Sequence, residues 1–328
     1  MSDPLNFSQM WRSVAPANTM ILGEHSVVYG QPALACALDQ FVTIHWQIRK
    51  DSAINIYSAL GEHHTQLDKI TSHPKLTFVI AALQAFQNHL TCGLDIQVES
   101  EFSSTIGLGS SAAVLAAMLS GLNTICKTDY KLIQLFEIGH RVIIDLQGRG
   151  SGTDLAASLS GGTIFFQPKT DLQPISSIHK LNIQLPLVLI YAGYKTPTSD
   201  VLKQVAIAWQ DKPNELEMLY RSMAQVTKQA FQALQNQQLE TFYQACSDYQ
   251  ILMDRLGVND KNIQKIIDAL IQCESIHCAK ISGSGLGDCV LGIGNLDNCN
   301  SQALSELAAY QSIAIKVSNA GAQTESTE

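Results

Sequence analysis

Four glycine-bearing blocks carry the side chains that could do chemistry in this chain of 328 residues. In residues 100–119, small flexible residues run straight into a strong helix former. Gly107 and Gly109, on either side of Leu108, let the backbone fold tightly and come close to a ligand, because neither carries a Cβ. Ser110, Ser111 and Ala112 then fall where an N-cap and first turn belong, so free N–H groups and hydroxyls point outward. A helix start of this kind holds phosphate through its unpaired donors and the positive end of its dipole. Taken alone, the run reads equally as an ordinary glycine turn ahead of a core helix.

The other blocks decide between the two readings. Residues 15–30 place Asn18 on an apolar strand and Glu24 and His25 on the turn that follows it, a composition suited to contact with a ligand. In residues 147–162, Asp154 follows a glycine-rich stretch ending in Gly152 and Thr153, and it opens a short helix. It reads either as a helix-start carboxylate stabilised by the dipole or as an oriented general base. In residues 280–292, alternating glycines around Gly283, Ser284 and Gly285 leave room for a bulky ligand to press against the backbone. No block forms Gly-x-Gly-x-x-Gly after the first strand with an acidic residue about 20 on, which argues against a dinucleotide-binding oxidoreductase.

The elements that must position these blocks follow from periodicity. Residues 41–49 alternate as a half-buried strand, and 54–57 and 94–99 read as its neighbours. Residues 76–88, 111–125 and 131–146 carry helical spacing, and 163–167 reads as a strand after a double-glycine turn. The polar stretch 168–180 marks a boundary between domains at 1–178 and 179–328. Beyond it, 185–191 is a buried strand, followed by helices near 200–210, 214–236, 238–256 and 260–273. Strands are expected at 277–282, 289–293 and 314–318, with a frayed polar tail after residue 319. Strands framing paired helices predict an α+β fold.

Composition narrows the partners. Hydrophobic residues make up 46% and charged residues 15%, which fits a compact globular protein and excludes extensive disorder. A net charge of −8 disfavours nucleic acid and anionic membranes, while a small anion can still be held by local N–H groups. The eight cysteines show no zinc-finger spacing. No secretory segment opens the chain and no apolar run approaches about 18 residues, so a cytoplasmic location with reduced thiols is expected.

In this order the four blocks resemble the GHMP kinase superfamily, over residues 15 to about 292. The resemblance implies a two-domain GHMP kinase fold, with an N-terminal domain like domain 2 of ribosomal protein S5 and a ferredoxin-like C-terminal domain. ATP and an acceptor would meet between them. It further implies that residues 107–112 with Gly283, Ser284 and Gly285 bind ATP, that Ser100 lies near the nucleotide, that Ser111 binds Mg²⁺, and that Asp154 is catalytic. Gly-Glu-His-Ser-Val-Val-Tyr-Gly (23–30) is most similar to the branch that phosphorylates mevalonate in isoprenoid biosynthesis. There Asn18, Glu24, His25, Gly152 and Thr153 would face the acceptor. Phosphomevalonate is the alternative acceptor, and a homodimer is the assembly considered.

The chain departs from the pattern in three places. Asn18 stands where the family carries a lysine, a feature shared with the diphosphomevalonate decarboxylases; a decarboxylase-like lyase and a non-catalytic nucleotide binder are therefore competing readings. Arg149, Lys195 or Arg12 is expected to replace the missing cation. The carboxylate that completes the family's magnesium site has no counterpart, and His140 occupies the nearest helical position. The Gly-Asp-Cys at 287–289 looks more like that of the phosphomevalonate kinases.

Overall fold

The structure is a computed structural model that describes residues 9–103 and 106–327. Ser104 and Thr105 of the block at 100–119, and residues 1–8 of the N-terminal domain, lie outside the described residues. In chain order the elements are β1 (Met10–Leu22), β2 (Ala33–Arg49), β3 (Ala53–Ser58), β4 (Gly61–Gln66), α1 (Thr77–Phe86), β5 (Gly93–Ser100), α2 (Ser110–Ile125), α3 (Leu132–Gln147), α4 (Thr153–Ser160), β6 (Thr163–Gln167) and β7 (Ser177–Leu181). Then follow β8 (Leu187–Tyr191), α5 (Thr198–Ala208), α6 (Pro213–Gln235), α7 (Leu239–Leu256), α8 (Lys261–Ile271), β9 (Ile276–Ser282), β10 (Cys289–Gly294), α9 (Ser301–Leu307), β11 (Gln311–Ala314) and β12 (Gln323–Thr327).

The first sheet has the order β12-β1-β2-β5-β3-β4, with β6 pairing the start of β2 and β7 extending from β6. The alternation expected at 41–49 is real: Val42, Ile44, Trp46 and Ile48 face the core, and His45 and Gln47 face outward. β1 carries Pro16, which cannot donate to a ladder, and the β1–β2 register shifts between Pro16 and Ala17. α2 is buried along nearly its whole length because alanines let it lie close to β1 and β2. The second sheet is antiparallel, in the order β11-β8-β10-β9, with α7 and α8 packed against β9.

Several expectations need correcting. The tail is not frayed: β12 pairs with β1 from Met10↔Thr327 to Val14↔Gln323, covering an edge that would otherwise be open. Its polar composition reflects exposure of its outer face. The polar linker contains a strand, β7, so the proposed division at 178/179 runs through that element. The last strand of the second sheet is β11, three residues earlier than expected, whereas Val317 only bridges to Leu38. The thiols are not all free, because Cys273 and Cys299 are joined where their backbones form an isolated antiparallel bridge. Among the described residues, no helix is long and apolar enough to cross a membrane.

Candidate active site

A cavity of about 620 Å³ opens where the ends of β1 and β9 meet the starts of α2, α4 and α5. The blocks at 15–30, 100–119 and 147–162 line it from one side, and Lys195, Thr198, Ser199, Leu202, Asp288 and residues 282–284 line it from the other.

The turn into α2 is the floor. Gly107 and Gly109 have φ of +69° and +65°, a region L side chains rarely adopt. A Cβ on Gly107 would land on Asp288 Oδ1, and one on Gly109 would land on the Asn18 amide. The turn is tied down by the Asn18 N–H, which donates to the Leu108 carbonyl at 3.1 Å. Among the described residues no side chain caps α2, which leaves the first N–H groups of the helix to meet an anion beside the Ser110 and Ser111 hydroxyls.

Asn18 is buried and spends its amide on structure. Nδ2 donates to Ser158 Oγ at 2.9 Å, and that hydroxyl donates to the Pro16 carbonyl at 2.7 Å. No cation therefore stands on β1 at the cavity.

Asp154 sits in the first turn of α4 behind Gly152, whose φ is +77°. Its accessible surface faces the cavity, and it makes no hydrogen bond or ion pair among the described residues. Crowding by protein pushes its carboxyl above the usual range; Lys195 opposes this and Asp288 adds to it. Thr153, beside it, is buried and shares a 2.9 Å hydrogen bond with Ser151.

His25 has φ +61° and ψ −59°, an uncommon conformation for a residue with a side chain. Its ring Nε2 lies 2.8 Å from the Ser284 carbonyl, and that oxygen can only accept. Nε2 therefore carries the proton, and Nδ1 is buried and has no partner among the described residues. Burial lowers the pKa of His25, so the ring stays neutral. Glu24 reaches the cavity wall, but its Oε1 accepts from Lys280 Nζ at 2.5 Å in a fully buried pair. Burial raises the Glu24 carboxyl against the pull of Lys280.

The loop in block 280–292 is fastened to block 15–30 by this histidine contact and by the 2.8 Å hydrogen bond between Thr19 Oγ1 and Ser282 Oγ. Gly283 and Ser284 line the cavity, while Gly285 packs on the Val258 carbonyl. Ser100 is also off the cavity lining, its hydroxyl donating to the Phe102 carbonyl at 2.8 Å.

Of the three expected replacement cations, Arg12 is on β1 and paired with Glu325, away from the cavity. Arg149 and Lys195 do line it. His140 does not: it stacks on Phe136 and lies 2.8 Å from the Gly150 carbonyl, so the α3 side chains that reach the cavity are Ile143 and Gln147. Asp288 was not recognised from sequence as part of the site. It has φ +68°, its Oδ2 is 3.4 Å from Lys195 Nζ, and burial pushes its carboxyl up against the pull of that ammonium. The available signal was an acidic residue set among alternating glycines.

A glycine turn at a helix start, a carboxylate facing it and a cleft lined by two sheets' worth of loops define a class: a two-domain α+β enzyme that handles phosphate. The chain belongs to the GHMP kinases, a family of small-molecule kinases, since the models of the family's N-terminal domain and C-terminal region match residues 77–162 and 230–311, together more than half of it. It is 25% identical over 300 residues to the mevalonate kinase of Pyrococcus furiosus, covering 85% of this chain and 87% of that protein. It is 28% identical over 280 residues to the mevalonate kinase of Archaeoglobus fulgidus, covering 85% and 90%. The crystal structure of L. major mevalonate kinase in complex with R-mevalonate shares the fold, with a TM-score of 0.76 at 19% identity, over 98% of this chain and 100% of that one.

Proposed function

We propose that the protein transfers the γ-phosphate of ATP to the hydroxyl of mevalonate. The observation that carries this reading is the convergence of the α2 turn, Asp154 and His25 on one cavity. Similarity to mevalonate kinases over 85% of the chain supports the choice of acceptor.

The turn at 107–112 supplies N–H donors to the nucleotide phosphates, with Gly283 and Ser284 on the opposite wall. Phosphoryl transfer asks a protein mainly for positioning and charge neutralisation. Asp154 accepts the proton of the acceptor hydroxyl as that oxygen bonds to the γ-phosphorus and the bond to ADP breaks. His25 borders the acceptor at the cavity wall, and Gly152 and Thr153 set the wall beside it.

The donor set suits Mg²⁺, which is usually held by one or two carboxylates together with substrate phosphates. The Ser111 hydroxyl and the Asp154 carboxylate line the same cavity, whereas the Asp288 carboxylate is paired with Lys195. Bound there, the ion would neutralise charge on the phosphates.

The test is turnover with Mg-ATP and a panel of mevalonate, phosphomevalonate, galactose and homoserine. ADP release with mevalonate is expected. Turnover of phosphomevalonate alone would overturn the assignment, and release of carbon dioxide would point to a lyase.

A further inference from the structure

An alcohol is a far weaker acid than a carboxylic acid, so Asp154 needs a nearby cation that favours the ionised acceptor oxygen and the charge of the transferring group. On β1 the site has none, because Asn18 faces Ser158 and the glycine turn. Among the described residues lining the cavity, the lysine and arginine side chains are Lys195 and Arg149. Arg149 is engaged elsewhere: its Nη2 donates to the Ser199 carbonyl at 2.8 Å, at the start of α5.

Lys195 is placed differently. Its Nζ is 3.4 Å from Asp288 Oδ2, and the same carboxyl group lies against Gly107 in the phosphate turn. Its charge also acts on Asp154. The segment that carries it is strapped down on both sides. The Asp288 N–H donates to the Tyr194 carbonyl at 2.8 Å, the Ala192 N–H to the Asp288 carbonyl at 2.8 Å, and Thr196 Oγ1 to the Leu286 carbonyl at 2.6 Å. The Tyr194 hydroxyl adds a 2.5 Å bond to Asp260. An ammonium on a flexible four-carbon stem is thus anchored at its root beside both the phosphate turn and the base.

The geometry points to Lys195, supplied by the C-terminal half of the chain, as the catalytic cation that works with Asp154: it rests on Asp288 and turns to the γ-phosphate when the nucleotide enters. Lys195 keeps its proton throughout and acts through charge. This rests on the kinase reading but not on mevalonate being the acceptor.

The experiment compares Lys195→Met, Lys195→Arg and Arg149→Met with the wild type, measuring kcat with whichever panel acceptor is turned over and, by calorimetry, the affinity for a non-hydrolysable ATP analogue. If wild type turns over another acceptor but not mevalonate, the mevalonate assignment falls and the lysine is tested with that other acceptor. Lys195→Met is expected to lose about a hundredfold in kcat, with analogue affinity changed by less than about fivefold, and Lys195→Arg to recover at least about tenfold of the loss. A loss below about tenfold in Lys195→Met, or an equal loss in Arg149→Met, overturns the proposal. The double variant Lys195→Met/Asp288→Asn removes both charges together. Return of its kcat to the wild-type level would show that the single variant suffered only from an orphaned carboxylate, and would likewise overturn it.

Discussion

The side-chain amide of Asn18 donates to Ser158 Oγ at 2.9 Å, while the backbone N–H of the same residue holds the Leu108 carbonyl at 3.1 Å. One residue thereby fixes the spacing between α4, which carries Asp154, and the turn that leads into α2. Asn18→Ala leaves the buried Ser158 hydroxyl without its donor. A cost of about 1–3 kcal/mol is expected in urea unfolding, with weaker nucleotide binding because the turn loses a wall.

The two glycines of that turn have no tolerant substitute. Gly107→Ala drives a methyl group into Asp288, and Gly109→Ala drives one into Asn18, both at positive φ. Each is expected to abolish measurable binding of an ATP analogue. The control Gly148→Ala, where a Cβ meets nothing within 4 Å, should bind normally despite some backbone strain, since Gly148 does not line the cavity.

Asp154→Asn should lower kcat by about 10²–10⁴-fold with little change in nucleotide affinity, and activity near that of the wild type would remove the base from the mechanism. The pH profile follows from the raised pKa of this carboxyl. The active form is ionised, so activity is present above the raised pKa and is lost as pH falls through it, at a pH above the ordinary aspartate value of about 3.9. Lys195 pulls that pKa down. Lys195→Met should therefore shift the acid limb of the residual activity to higher pH.

Glu24 and Lys280 are both buried and 2.5 Å apart. Lys280→Met leaves a carboxylate with no counter-ion and should cost about 3–5 kcal/mol, whereas adding Glu24→Gln should recover much of the loss. A double-mutant cycle in urea measures the coupling. A cycle that sums to zero would mean the pair is not formed in solution.

Thiol titration of the denatured, unreduced protein should find six free cysteines, rising to eight after reduction. Eight before reduction would show Cys273 and Cys299 to be unlinked.

The amino-acid sequence alone determined what is local in the chain. The glycine turn before α2, the first-turn placement of Asp154, the alternation of residues 42–48 and the four blocks in order were all legible, because each depends on residues a few positions apart. So was the small-molecule kinase class, which those blocks carry. Only the tertiary structure decided which distant groups serve them. Glu24 meets Lys280 across 256 residues, His25 meets the Ser284 carbonyl across 259, and Arg12 goes to β12 rather than the site. Lys195 reaches the cavity because three hydrogen bonds strap its segment to the loop of Asp288. Burial, pKa and pairing are sums over everything within a few ångströms, and in a chain that returns repeatedly to one cleft those neighbours cannot be read from spacing.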